Sequence, residues 1–227
     1  MSMTILFSAL LTASAASAAL ASETPVIVSD FVSGPSSHVR ISNTSRQPVT
    51  AWSIAAITPT ATGTHREVYT TDGYLSEATH GLPKAAERLE RLMPGESRDL
   101  PLDPLPEGAT NDVVATVMDD GTAIGDEAAL ASIFKNRVRE RDALKAVVDT
   151  FNDVLSATHG PEALAALKDR LGALVVKDEN VPCRAALDAV QSYERAAQTT
   201  RIDASLGTYA DFVNREYQLA VKHSRRR

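Results

Sequence analysis

The chain has 227 residues and a mass of 24.2 kDa, with 44% hydrophobic and 23% charged residues, a balance that suits one or two soluble globular domains and excludes a disordered chain or a membrane bundle. Aromatic residues are only 5% of the total, too few to furnish stacking platforms for bases or sugar rings, so a carbohydrate- or single-strand-binding groove is disfavoured. The net charge of −6 argues against nucleic acid as a partner, because nonspecific affinity for phosphate comes from many Lys and Arg side chains.

The acidity belongs to the first half. Before Asp126, 7 Lys and Arg stand against 14 Asp and Glu, giving −7; from Asp126 to Arg227 the count is 16 against 15, giving +1.

Met1 to Ser22 carries no charged side chain, and its apolar stretch Ile5 to Leu11 leads into Ala/Ser-rich sequence ending in an Ala19-Leu20-Ala21 cleavage site. Residues 1–22 therefore read as a secretory signal peptide, and the protein is expected to be exported, either periplasmic or secreted. No Lys or Arg stands near the start, so an uncleaved N-terminal anchor, or a start codon placed downstream of the true one, stays open. No later stretch approaches the ~20 apolar residues that span a bilayer, so no membrane span is expected after cleavage.

From residue 23 to residue 124, short β-favouring runs alternate with turn residues: Pro25 to Val32, His38 to Ser42, Val49 to Ile57, Thr64 to Thr71, Glu96 to Leu102 and Asp112 to Met118. Prolines concentrate between them, in Gly34-Pro35, Leu82-Pro83, Met93-Pro94-Gly95 and Pro101 to Pro106. This punctuation predicts an antiparallel β-sandwich domain. In Val49 to Ile57 alternation does not separate polar from apolar residues, which predicts a central strand covered on both faces. Gly73 to Leu92 reads as a helical or irregular insertion.

Asn43-Thr44-Ser45, then Pro48-Val49-Thr50-Ala51-Trp52-Ser53-Ile54, and later Met93-Pro94-Gly95-Glu96-Ser97 together resemble small secreted bacterial immunoglobulin-like domains of the FxLYD type. The resemblance covers residues 26–118 and lacks the family's aromatic-to-tyrosine tetrad. It implies an immunoglobulin-like sandwich acting as a binding or structural module rather than an enzyme.

Residues 125–227 change period. Asp126 can cap a helix in which Leu130, Ile133, Phe134, Val138, Leu144, Val147, Val148, Phe151 and Leu155 recur at spacings of mostly three and four, ending at His159-Gly160-Pro161. A helix of about 33 residues would be roughly 50 Å long, so it must project or be flanked by other helices. Pro161 to Val176, Pro182 to Gln198 and Ser205 to Lys222 come next, predicting an α-helical hairpin or bundle with one long first helix. The fold class expected is thus α+β in two parts.

Cys183, the only cysteine, excludes an internal disulfide or a thiolate metal cage within one chain. It reads as a small buried hydrophobe near a helix start, the alternative being a disulfide between chains. There is no Gly-x-Ser-x-Gly elbow, the nearest string being Gly95-Glu96-Ser97-Arg98-Asp99, and no Gly-rich phosphate loop ending in Lys-Ser/Thr. His38, His65, His80, His159 and His223 are too scattered to make a zinc site legible. Asp119-Asp120-Gly121-Thr122 with Asp126-Glu127 fails the EF-hand register and reads as a turn followed by acidic residues at a helix N-terminus. No catalytic, cofactor-binding or metal-binding residue is assigned, and no cofactor is expected.

Arg137, Arg141 and Lys145 fall on one line of the long helix, with Asp149 closing it. Like charges so spaced repel by a few tenths of a kcal/mol each, so this ridge is either a solvated face, a contact with the acidic first half, or a docking ridge for a partner. Arg225-Arg226-Arg227 reads as a solvated, fraying end, with contact to an anionic lipid or cell-wall polymer the alternative. Asn43-Thr44-Ser45 matches a glycosylation acceptor, which a turn explains equally well. The expected function is non-catalytic binding or scaffolding through the helices, with an unidentified protein partner or by self-association. The alternative is a cell-envelope enzyme or metal-dependent protein built from loops, with His65, Asp72 and His80 its candidate members.

Overall fold

The computed structural model describes residues 25–79, 90–177, 181–195 and 201–227; segment 1–22 lies outside the described residues. The protein is α+β, with strands β1 (Val26–Val32), β2 (His38–Asn43), β3 (Val49–Thr60), β4 (Gly63–Asp72), β5 (Ser97–Pro101), β6 (Thr110–Met118) and β7 (Ala123–Gly125) preceding helices α1 (Glu127–Ala157), α2 (Gly160–Lys177), α3 (Val181–Arg195) and α4 (Ile202–His223). A 3₁₀ helix, Tyr74–Thr79, opens the stretch read as an insertion. Every strand run expected from the sequence is present. β7 is the addition: Ala-Ile-Gly is too short to show a period.

Two antiparallel sheets form, ordered β1-β2-β5 and β4-β3-β6-β7. Val26, Val39 and Ile41 from the first share one core with Val49, Trp52, Ile54 and Val113 from the second. The opposite face of the second sheet presents small side chains, Ala51, Ala115 and Val117, and α1 lays Leu130 and Ile133 on them. This explains why β3 shows no clean alternation: its residues Val49 to Ala56 are all buried, between a sheet on one side and a helix on the other.

Two irregularities in the β3–β6 ladder, between Val49 and Ala51 and between Ser53 and Ile54, prepare the seat of α1. At the first, Thr50 is the extra residue on β3; at the second, Val114 is the extra residue on β6. A bulge leaves its residue unpaired and re-aims it. The Val114 carbonyl accepts the backbone N–H of Asp126 at 2.7 Å, and Asp126 Oδ1 in turn accepts from Ala129 N at 2.9 Å, capping α1 as expected.

α1 is neither projecting nor wholly flanked by helices. Its first turns lie on the sheet, while Leu144, Val147, Phe151 and Val154 enter a second core with Leu167, Leu171, Val190, Leu206 and Val213 from the other helices. Each fully buried side chain of this size contributes roughly 1.5–3 kcal/mol. Cys183 is buried in this core, as expected of a free cysteine.

Gly125 connects sheet to helix with φ +130°, and a Cβ there would stand 2.2 Å from the Val114 carbonyl oxygen. Gly125→Ala is therefore expected to lower stability by more than about 2 kcal/mol, read as a drop in the midpoint of urea unfolding.

Candidate functional site at the junction of sheet and helices

β4 ends in Asp72, and Gly73 turns the chain beneath residues 90–91, where a Cβ would sit 2.6 Å from Glu90 Cβ. The turn delivers Tyr74, 2% exposed, into the helical core. On α1, one turn beyond Ile133, Arg137 points inward and is 1% exposed. Its Nε and Nη2 donate to Asp72 Oδ2 and Oδ1 at 2.7 and 2.8 Å, a two-pronged pairing that suits the planar guanidinium. Nη2 also donates to Thr50 Oγ1 at 3.0 Å, and Nη1 donates to the backbone carbonyl of His223 at 3.2 Å. The guanidinium carbon lies 4.8 Å from the centre of the Tyr74 ring and 5.6 Å from that of Phe134. Thr50 can do this because of the bulge, and its hydroxyl donates on to the Val117 carbonyl at 3.2 Å.

Around this pair lie further titratable groups. Tyr74 Oη donates to Glu140 Oε2 at 2.6 Å. Burial first, and then this bond, push the Tyr74 phenol up; burial also pushes the Glu140 carboxyl up. On α4, burial and then the nearby Glu140 carboxylate raise Glu216 to about 7. His223, 1% exposed, tilts its ring against Tyr74 with centroids 5.5 Å apart, and neither ring nitrogen has a hydrogen-bond partner. Its Nε2 stands 3.8 Å from Asp119 Oδ1, which is itself buried and without a hydrogen bond. Burial, then Lys222 and Arg137, push the imidazole down to about 4.

The ridge residues diverge. Arg137 is an intramolecular contact with the sheet, not an outward face. Arg141 bonds its neighbour Asp142 at 2.7 Å and reaches Ser224 Oγ at 3.4 Å, and Lys145 pairs with Asp149 at 2.6 Å on an exposed surface. The C-terminal arginines do not fray freely. Arg226 pairs with Glu127 at 2.6 Å, and Arg227 N donates to the Gly121 carbonyl at 3.0 Å, so the tail lies across the β6–β7 turn.

His65, Asp72 and His80 are not assembled into a site among the described residues. His65 is exposed on β4, seven residues from Asp72 and so on the opposite face and about 23 Å along the strand; Asp72 is taken by Arg137, and His80 lies outside the described residues. Asn43 is 1% exposed, with its amide nitrogen donating to the Gln47 and Leu92 carbonyls and its Oδ1 accepting from Ser45 N, so the asparagine of the acceptor motif is a buried turn residue while Thr44 is exposed. Among the described residues no group of three or more His, Cys, Asp or Glu is placed to hold a metal. A groove of about 930 Å³ runs along Ser33–Pro35 and Pro104–Glu107, with Glu107 its one ionisable lining residue.

Thr50, Tyr74 and His223 were not legible as partners of Arg137, nor Asp119 as a neighbour of His223. Thr50, Asp72 and His223 stand 87, 65 and 86 positions from it, and no local spacing links them. No protein family, curated protein or solved structure matches this sequence.

Two outcomes are expected. Arg137→Met strands the Asp72 carboxylate beside an apolar helix and lowers stability by about 3 kcal/mol, measured by chemical denaturation at pH 7. Glu216 ionises near 4.5 in the unfolded chain and near 7 when folded; the folded state therefore holds its proton longer, and the resulting stability is present below about pH 4.5 and lost as the pH rises through 7. Glu216→Gln should remove this fall, gaining on the native protein by on the order of 2 kcal/mol between pH 4.5 and 8 after allowing for its partial solvent contact.

Proposed function

We propose that this protein is an exported, non-catalytic binding or scaffolding module in which an immunoglobulin-like β-sandwich carries a helical bundle, the helices presenting the surface met by a protein partner or a second copy. One observation carries this reading: the guanidinium at the junction is closed on the molecule's own groups, Arg137 holding Asp72, Thr50 and the His223 carbonyl, while the unbonded His223 ring beside it is sealed from solvent. A catalytic centre needs such groups aimed at a space where a reacting atom can sit. None of the junction residues lines the groove at Ser33–Pro35 and Pro104–Glu107.

The turn motifs shared with FxLYD-type domains support the sandwich assignment, and the Ala/Ser-rich segment ending at Ala21 supports export. The outward part of the ridge, Arg141 and Lys145, gives the helical surface its basic positions. No helix among the described residues is long and apolar enough to cross a membrane, in keeping with a surface that works from one side of it.

Chemical crosslinking in the native envelope fraction, followed by affinity capture, is expected to recover one stoichiometric partner or a homodimer. Arg141→Glu should reduce that recovery several-fold while leaving the thermal midpoint within a degree or two. Recovery of monomer alone, or full recovery with the charge reversed, contradicts the reading.

A further inference from the structure

The end of α4 is held to the sheet by a cluster whose charges balance only while His223 is neutral. His223 is sealed from solvent with both ring nitrogens unbonded, and its surroundings come from five places. Tyr74 covers one face of the ring from the 3₁₀ helix. Arg137 of α1 grips the His223 carbonyl. Lys222 of α4 pairs with Asp119 Oδ2 at 3.1 Å, and Arg91, in the segment before β5, stands 3.8 Å from Asp119 Oδ1 while pairing with Glu77. Asp119, after β6, is the one carboxylate that faces the imidazole directly, at 3.8 Å. Three cations therefore already share this wall, each with one carboxylate: Arg137 with Asp72, Arg91 with Glu77 and Lys222 with Asp119.

We propose that the C-terminal end of α4 is a pH-released latch, in which neutral His223 seals the sheet–helix junction and its protonation drives residues 221–227 off the β6–β7 turn. A further positive charge would leave this dry cluster with one in excess, and the nearest acceptor, Asp119 Oδ1 at 3.8 Å, stands beyond hydrogen-bond reach on a carboxylate already paired with Lys222, whereas moving the end of α4 outward returns the imidazolium to water. The other contacts of the latch are modest and peripheral: the Arg226–Glu127 pair, the Lys222–Asp119 pair and the Arg227 N–H on the Gly121 carbonyl. Gly121 permits that closeness, because a Cβ at this position would come within 3.1 Å of the Arg225 carbonyl oxygen. An exported protein meets the pH of its surroundings directly, so acidification would uncover the Arg137–Tyr74 wall and the α1 face beneath α4.

Linkage sets the sign. The unfolded or released imidazole titrates near 6.5 and the latched one near 4, so the latch is at full strength above about pH 6.5 and weakens as the pH falls toward 4. At pH 5 the ratio of released to latched forms should have risen by up to about thirtyfold relative to pH 7.5.

Amide hydrogen exchange resolved by NMR tests this. After correction for intrinsic rates, protection at the Ser224 and Arg227 amides is expected to fall at least tenfold from pH 7.5 to pH 5, while amides of β3 and α2 keep theirs. His223→Phe retains a ring against Tyr74 and has no proton to take up, so its C-terminal protection should not depend on pH. The His223 Cε1 proton shift supplies a second reading that needs no variant: it should titrate well below an ordinary imidazole. Protection that stays constant or rises on acidification in the native protein, an ordinary His223 titration, or the same acid loss in His223→Phe would each overturn the proposal.

Discussion

A guanidinium fixed at the seam between the sheet and the helices governs the rest of the molecule. Arg137 reaches from α1 to the end of β4, to the bulged Thr50 of β3 and to the last residue of α4, so one side chain sets the rotation of α1, the exit of the 3₁₀ helix and the landing of the C-terminus. A buried ion pair is a weak source of net stability, because removing two charges from water costs nearly what their attraction returns. Its value lies in the alternatives it excludes. An α1 rotated by one position would carry the guanidinium away from Asp72 and Thr50.

The sheet is shaped to receive this. The two ladder irregularities between β3 and β6 look like defects in pairing, yet Thr50 uses the first to hold Arg137 and Val114 uses the second to hold the N-terminus of α1. Both contacts act on one helix about ten residues apart, which fixes its direction as well as its position. Tyr74 completes the arrangement from the other side, since it belongs by sequence to the strand-rich half and by packing to the helical core. The two halves are therefore continuous through their interiors.

Buried titratable groups in this seam pull in opposite senses. Glu216 favours its neutral form and strengthens the fold in acid, while His223 favours its neutral form and weakens the fold in acid. Both effects stem from burial, which penalises whichever form is charged. The stability of the helical part is thus flattened across the mildly acidic range, while the cost of charging falls at two separate points along α4, one in its middle and one at its end.

The sequence alone located β1 to β6 and the four helices, because hydrophobic period, proline and glycine punctuation and the Asp126 cap are properties of neighbouring residues. It also identified β3 as doubly covered, and set Arg137 on a line with Arg141 and Lys145. Which way that line faced was decided only in three dimensions: a period of 3.6 places residues on a common stripe but does not say that Arg137, beside Leu130 and Ile133 at the sheet, turns inward while Lys145 meets water. Asp72 was visible only as an acidic residue near two histidines, and Tyr74 and His223 carried no signal. Their meeting depends on strands and helices brought together across more than sixty positions, a distance over which no local pattern is constrained and only packing chooses the neighbours.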